Sequence, residues 1–436
     1  MSSHRRHFLR YCGIAGLGAL AGCTNRSEVT ETPTSTGSRQ QDILLAEDGD
    51  SDDYFGEAVA LSSDGTTAIV SAIGDDNHGG EDAGAAYVFE ATDGSWTQQT
   101  KLTADDGDSG EEFGNSVALS SDGTTALIGA QFDDSYGNMA GSAYVFEVSD
   151  GSWTQQAKLH AEQTYRFSRF GSSVALSSDS TTALIGAYLD LPEPMEWRVR
   201  GGSTYVFEAT DGSWSQQAKL FPDSYDERIL FGSSVALSDN GTTACIGARA
   251  ADTSNIRNSG SAYVFEDTGE SWTQQAKLDA DDGDESDIFG DVVSLSSDGT
   301  TAIIGARGDD GPDDENVGAA YIFEATDESW RQQTKLTDHT GATDNWFGKV
   351  VAISSDGMTA FIGDDSEESG SVAVFAAADG TWSQQTKLVS GSGNEFGNTI
   401  AVSGDGSIVC IGSPRDDAPN NEDTGAAYVY NLSGDS

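Results

Sequence analysis

Phe-Gly recurs seven times along this chain, at Phe55, Phe113, Phe170, Phe231, Phe289, Phe347 and Phe396, with spacings of 58, 57, 61, 58, 58 and 49 residues. Such a recurrence constrains the fold strongly, because a short repeated unit cannot bury its apolar face alone and must stack on its neighbours. The second copy displays the unit: FGNSVALSSDGTTALIGA, a loop, then GSAYVFE, VSDGSW and TQQAKL. These runs parse into four short strands. Asp122-Gly123 joins the first two and Asp150-Gly151 the last two, pairs that favour two-residue hairpin turns. The first junction reads Asp64-Gly65, Asn240-Gly241, Asp298-Gly299, Asp356-Gly357 and Asp405-Gly406 in other copies; the third departs with Asp179-Ser180. Each unit is thereby predicted to be a four-stranded antiparallel meander.

Seven such units form either a linear solenoid or a closed ring of blades. The chain ends favour the ring. The seventh copy stops after GAAYVYN without its WTQQKL strand, and residues 40–46, QQDILLA, supply that piece at the other end. Gln40 precedes Phe55 by 15 residues, as Gln98 precedes Phe113. A linear array has no reason to divide one repeat between its termini. The predicted fold is all-β: a seven-bladed β-propeller of four-stranded antiparallel blades over residues 40–436, closed by an N-terminal strand that completes the last blade.

Phe-Gly followed by Ile128-Gly129-Ala130, or by Ile411-Gly412-Ser413-Pro414 in the last copy, resembles the FG-GAP repeat over residues 40–430. Integrin α-subunit heads share this repeat and also close their ring with an N-terminal strand. The resemblance implies a seven-bladed ligand-binding propeller. In that family calcium often sits in the hairpin between the first two strands. The Ser-Ser-Asp-Gly hairpin here offers one carboxylate, where calcium takes about six to eight oxygens. Calcium is therefore not carried over to these hairpins, and no cofactor, metal ligand or catalytic residue is assigned.

Acidic residues number 72 against 22 basic ones, for a net charge of −50. The regular apolar pattern excludes disorder, and the lack of a basic face argues against nucleic acid as a partner. The preferred reading is a halophilic surface of solvated acids. Three clusters, Asp48, Asp50, Asp52 and Asp53, then Asp105, Asp106 and Asp108, then Asp281, Asp282, Asp284 and Asp287, have a spacing that could instead hold a cation. Lysine is nearly confined to the repeated TQQAKL position. Cys245 and Cys410 take the place of Leu127 and Leu184 and read as small core residues in separate repeats, not a disulfide.

At the N-terminus, HRRHFLR at residues 4–10 precedes the apolar CGIAGLGALAG. Arg5-Arg6 before Phe-Leu resembles a twin-arginine export signal, and Leu20-Ala21-Gly22-Cys23 resembles a lipobox. The apolar stretch is too short to span a bilayer as a stable helix. Residues 1–22 are expected to be a signal peptide, Cys23 the lipidated residue, and residues 23–39 a Ser/Thr-rich tether. The chain would then sit on the outer face of the cell membrane through that lipid.

Specificity is expected where the copies disagree. Alternate loops of a meander lie at opposite ends of a blade, so the tight hairpins share one face and the remaining loops share the other. On that second face, the segment HAEQTYRFSR has one acid and two arginines where its counterpart ADDGDSGEE has five acids. Seven of the fifteen arginines fall around the third and fourth repeats. Arg166, Arg169, Trp197, Arg198, Arg200, Arg228 and Arg249 are the candidate ligand-binding set, for an anionic glycan or an acidic extracellular protein. Arginine binds carboxylate or sulfate in bidentate fashion, and an indole stacks on a sugar face. Pairing of these arginines with acids of adjacent loops is the alternative. His78, His160 and His339 lie in different repeats without a nucleophile-elbow motif. The expected function is a monomeric, non-catalytic surface binding or adhesion module; a propeller-fold enzyme acting on an extracellular polymer and a structural envelope component stand beside it.

Overall fold

The strand runs pair into seven four-stranded antiparallel sheets. The computed structural model describes residues 39–191, 201–223, 229–253, 256–311, 315–326, 329–338, 344–364, 370–390, 395–417 and 423–433, and every regular element among them is a strand. Blade 1 shows the plan, lettered from the axis outward: a, Phe55–Leu61; b, Thr67–Ala72; c, Ala85–Thr92; d, Ser95–Leu102. The c–d ladder shifts register between Val88 and Phe89, a bulge that bends the outer strand.

Blade 7 takes strands a (Thr399–Val402), b (Ile408–Ser413) and c (Ala426–Asn431) from the end of the chain and its fourth strand, Arg39–Leu44, from the beginning. Ile43 lies opposite Tyr428 and Leu44 opposite Ala427. Arg39 stands opposite Asn431, at the hairpin face.

The a–b turn differs from the two-residue closure read in the sequence. Ser62 N–H donates to Thr67 O and Gly65 N–H to Ser62 O, each at 2.9 Å, and only Gly65 has a left-handed φ, of 69°. The loop therefore closes over four residues. Asp64 explains it: its Oδ1 accepts from Ser62 Oγ and from the backbone and hydroxyl of Thr66, holding the turn from its own side chain. The c–d turn is a true two-residue hairpin, with Asp93 and Gly94 at φ 52° and 81°.

Both faces of each blade are apolar, so the core is divided into slabs between blades. One slab joins Ala60, Ile69, Val88 and Leu102 of blade 1 to Phe113, Ile128, Tyr144 and Phe146 of blade 2. Another joins Cys410, Ala427 and Val429 of blade 7 to Phe55, Val59, Val70 and Tyr87 of blade 1. Phe113 meets Tyr144 edge-on at 5.4 Å and Phe146 at 5.9 Å, a favourable aromatic geometry that accounts for the recurrent Phe. The glycine of the Ile-Gly-Ala run is required by a close approach: a methyl on Gly129 would lie 2.0 Å from Gly171 O in the next blade. Cys245 and Cys410 are buried and unpaired, in different slabs, and burial pushes both thiols up to about 12.

Around the axis the a–b hairpins are stitched together. Ser63 N–H donates to Ser121 O, Ser178 to Asp239, Asp239 to Ser297, Ser297 to Ser355, Ser355 to Gly404, and Gly404 back to Ser63. Blades 2 and 3 are joined by Ser178 Oγ donating to Ser121 Oγ at 2.7 Å. Blade 7 thus bonds directly to blade 1.

Candidate functional site

Beneath the loop face lies a network built on the repeated lysine. Strand d of blade 2 (Ser152–Leu159) carries Lys158, whose Nζ lies 2.6 Å from Asp133 Oδ2 and 2.7 Å from Asp106 Oδ2. Tyr144 Oη donates to the same Asp133 oxygen at 2.7 Å. Asp133 is completely buried; burial alone would raise its carboxyl, but Lys158 and Tyr144 hold it below the ordinary aspartate value. Blade 1 repeats the arrangement with Tyr87, Asp75, Lys101 and Asp48, and blade 5 with Tyr321, Asp309, Lys335 and Asp282. Asp106 belongs to the linker entering blade 2, so the lysine ties blade to linker.

The network varies from blade to blade. In blade 3 Tyr205 and Lys219 meet Asp190. Blade 4 has Ala251 at the aspartate position, and Lys277 turns to Asp279 at 3.2 Å. Blade 6 has Ala373 in place of tyrosine, and Lys387 meets Asp364 and Asp338, each at 2.9 Å. In blade 7 Tyr428 bonds Asp416, while half-exposed Ile43 occupies the lysine position opposite Tyr428.

The linker acids are not simply solvated, contrary to expectation. Asp53, Glu111 and Asp287 are buried and accept the backbone N–H of Asp50, Asp108 and Asp284, because the short linker folds back on itself and needs an acceptor inside. Among the described residues no acidic cluster has the arrangement of a metal site. Burial pushes Asp53 and Asp287 up to about 6 and Glu111 up to about 7, with Asp75, Asp309 and Asp133 adding repulsion. These three groups bind protons more tightly folded than unfolded. Their contribution to stability is complete below about pH 4, the unfolded value, and is lost as pH rises through 6 to 7. The hairpin acids Asp64, Asp122 and Asp298 are shifted down and act only below the ordinary aspartate range. The melting temperature is expected to fall by a few degrees from pH 5 to pH 8 at constant salt. Asp53→Asn, Glu111→Gln and Asp287→Asn together should flatten that fall; an unchanged slope in the triple variant would refute the assignment.

At the loop-face end of the a strands, the residue before every Phe-Gly is left-handed. Tyr54, Glu112, Arg169, Leu230, Ile288, Trp346 and Glu395 have φ between 49° and 63°. Bulky side chains rarely adopt this conformation, and here their chemistry changes from copy to copy while Phe-Gly does not. The mouth of the central channel is consequently uneven. From blade 2 to blade 6, Arg169 lies 3.9 Å over Phe132, Arg249 lies 5.9 Å from the Tyr188 ring, and Arg307 lies 5.4 Å from the Trp346 ring. Arg249 Nη1 donates to Asp291 Oδ1 at 3.0 Å, and Arg307 Nε lies 2.8 Å from Asp291 Oδ2. Across the mouth, blades 7, 1 and 2 present Glu395, Glu57 and Glu112; Arg415 pairs with Glu395 at 3.1 Å. Burial, then the Glu395 charge, raises Glu57.

Of the candidate arginines, Arg169 and Arg249 stand on this mouth, and Arg166 is exposed over Phe167 at 5.7 Å. Trp197, Arg198, Arg200 and Arg228 lie outside the described residues, as does His339. The paired-acid alternative holds for Arg249. Nε and Nη1 of Arg169 are buried with no hydrogen-bond partner among the described residues. His78 and His160 contact backbone carbonyls, of Ala104 at 3.1 Å and Ala161 at 2.9 Å. Asp291, Arg307, Tyr188 and Trp346 were missed in the sequence; the one available signal was their departure from the repeat at fixed offsets from Phe-Gly and Ile-Gly-Ala.

The FG-GAP repeat matches the chain at residues 38–89, 96–146, 153–207, 214–265, 272–323, 330–375 and 382–430. The chain belongs to the FG-GAP repeat family. Each FG-GAP match runs from the outer strand of one blade into strand c of the next, so repeat and blade are out of phase by one strand. No curated protein matches this FG-GAP chain. Among solved structures, hydrazine synthase of Kuenenia stuttgartiensis is similar with a TM-score of 0.57 at 12% identity, covering 92% of this chain and 100% of that one. That likeness concerns the fold alone. In this FG-GAP chain the hairpin aspartate is already engaged by its own turn, as Asp64 is by Ser62 and Thr66.

Proposed function

We propose that this FG-GAP protein is a lipid-anchored, non-catalytic binding module of the cell surface, whose loop face recognises an extracellular ligand bearing negative charge. The seven-bladed FG-GAP propeller fits a binding or structural module. The observation that carries the proposal is the uneven channel mouth: a chain with 72 acids and 22 bases gathers Arg169, Arg249 and Arg307 with aromatic rings on one side of it. Residues 5, 6 and 23, on which export and anchoring rest, lie outside the described residues, and the support for the anchor is the resemblance of Arg5-Arg6 and Leu20-Ala21-Gly22-Cys23 to an export signal and a lipobox.

The test compares cells carrying the full chain with cells carrying Cys23→Ser. The full chain is expected in the membrane fraction and to retain at least one of labelled polygalacturonate, dextran sulfate and poly-glutamate at the cell surface. The Cys23→Ser chain is expected in the medium or unprocessed, with no retention on cells. Equally tight membrane association of Cys23→Ser would remove the anchor. A correctly displayed chain that retains none of the three polymers would favour a structural envelope component.

A further inference from the structure

We infer that Arg249, Asp291 and Arg307, flanked by Tyr188 and Trp346, form a subsite for an acidic sugar residue at the mouth of the central channel. This rests on the loop face being the binding surface and names its ligand class. The five side chains form one continuous line of contacts across blades 3 to 6: Tyr188 to Arg249, both arginines to Asp291, Arg307 to Trp346.

Charge is the first ground. One carboxylate serves two guanidiniums, which leaves the group a net positive charge in a chain of −50. No second acid pairs with either arginine among the described residues. Arg307 Nε is 2.8 Å from Asp291 yet lacks an aligned hydrogen bond, and the arginine side chains remain 36% and 28% exposed. Guanidinium N–H donors suit the bidentate geometry of a carboxylate or sulfate.

The aromatic rings are the second ground. Trp346 is 38% exposed and sits at φ 49°, while the Phe-Gly phenylalanines are buried. An exposed indole on a disfavoured backbone beside paired arginines provides an apolar plane for a sugar face with cationic groups at its edge. Asp291 holds both guanidiniums in place before a ligand arrives.

Salt dependence gives the site a signature. A polyanion approaching a protein of charge −50 is repelled at about 0.1 M salt, where screening extends about 10 Å, and much less at about 1 M, where it extends about 3 Å. Contact through the arginine pair should therefore strengthen as salt rises over that range. Binding driven by counterion release from a basic surface does the reverse.

The test uses the full-length chain, folding monitored by circular dichroism, against polygalacturonate, dextran sulfate, neutral dextran and poly-glutamate. The unaltered chain should retain polygalacturonate, dextran sulfate or both, more strongly at about 1 M than at about 0.1 M salt, and should ignore neutral dextran. The first two polymers distinguish carboxylate from sulfate recognition. Arg249→Ser, Asp291→Asn and Arg307→Ser combined remove the pair with its shared counter-ion, leaving no orphaned charge, and should weaken retention at least about tenfold. Trp346→Ala should weaken it similarly while Trp346→Phe keeps most of it; this pair decides the matter if the triple variant fails to fold. Unchanged retention in the triple variant or in Trp346→Ala overturns the subsite but not the binding function. Retention of poly-glutamate alone overturns the sugar assignment in the same way. Retention of no polyanion by the unaltered, folded chain overturns both.

Discussion

Deleting residues 39–46 is expected to lower the melting temperature by roughly ten degrees or more, or to abolish cooperative unfolding. The segment is the whole outer strand of blade 7 and pairs along strand c from Ala427 to Asn431. It buries Leu44 and Leu45 packs on the blade 6–blade 7 slab. It also reaches blade 1, where Asp42 Oδ2 accepts the Trp96 N–H at 3.3 Å. At about 1 kcal/mol net per hydrogen bond and about 2 kcal/mol for a buried leucine, the loss is comparable with the whole net stability of a typical domain. Strand c would become a bare edge and a template for aggregation. The inner ring should still close, because Gly404 bonds Ser63 directly, so the effect is loss of a strand rather than opening of the circle. Calorimetry of the truncated chain decides it: a melting temperature within a degree or two of the intact protein would show that blade 7 does not depend on its N-terminal strand. A synthetic peptide of residues 39–46 added in trans should restore part of the loss.

Asp133→Ala is expected to destabilise the fold by about 3–5 kcal/mol, the usual result of removing one partner from a buried ion pair. Lys158 would keep Asp106, but Tyr144 would lose its closest acceptor in a fully buried site. Blade 4 shows what a tolerated absence requires: with Ala251 in place, Lys277 has moved to Asp279, on which Ser261 Oγ also donates at 2.7 Å. Combining Asp133→Ala with Lys158→Met and Tyr144→Phe should therefore recover much of the loss, since no buried polar group is then left alone. Denaturant unfolding of the single and combined variants measures this. Equal destabilisation by both would mean that the aspartate acts through packing and not through its charge.

The strand pattern, the seven copies and the division of one blade between the chain ends were legible because each is local: alternation, turn residues and spacing lie within one unit. The same holds for Cys245 and Cys410, whose burial follows from standing where other copies have leucine. The a–b turn was misread by its aspartate-glycine pair, since the hydroxyls of Ser62 and Thr66 that draw the aspartate into a longer loop are a feature of side-chain geometry.

Sequence by itself determined the architecture of this protein, because in a repeat fold every copy restates the same local instructions and errors in one are outvoted by six. Tertiary structure alone decided which charges matter. Asp133 and Asp134 are adjacent and chemically identical, yet one is fully buried and the other exposed. Burial of the first depends on Lys158, 25 residues away in the same blade, and on a linker carboxylate, Asp106, that precedes the blade. Arg249, Asp291, Arg307 and Trp346 come from three consecutive blades, and Tyr188 from a fourth. Their shared edge exists only where the curvature of the ring brings neighbouring blades together at the axis.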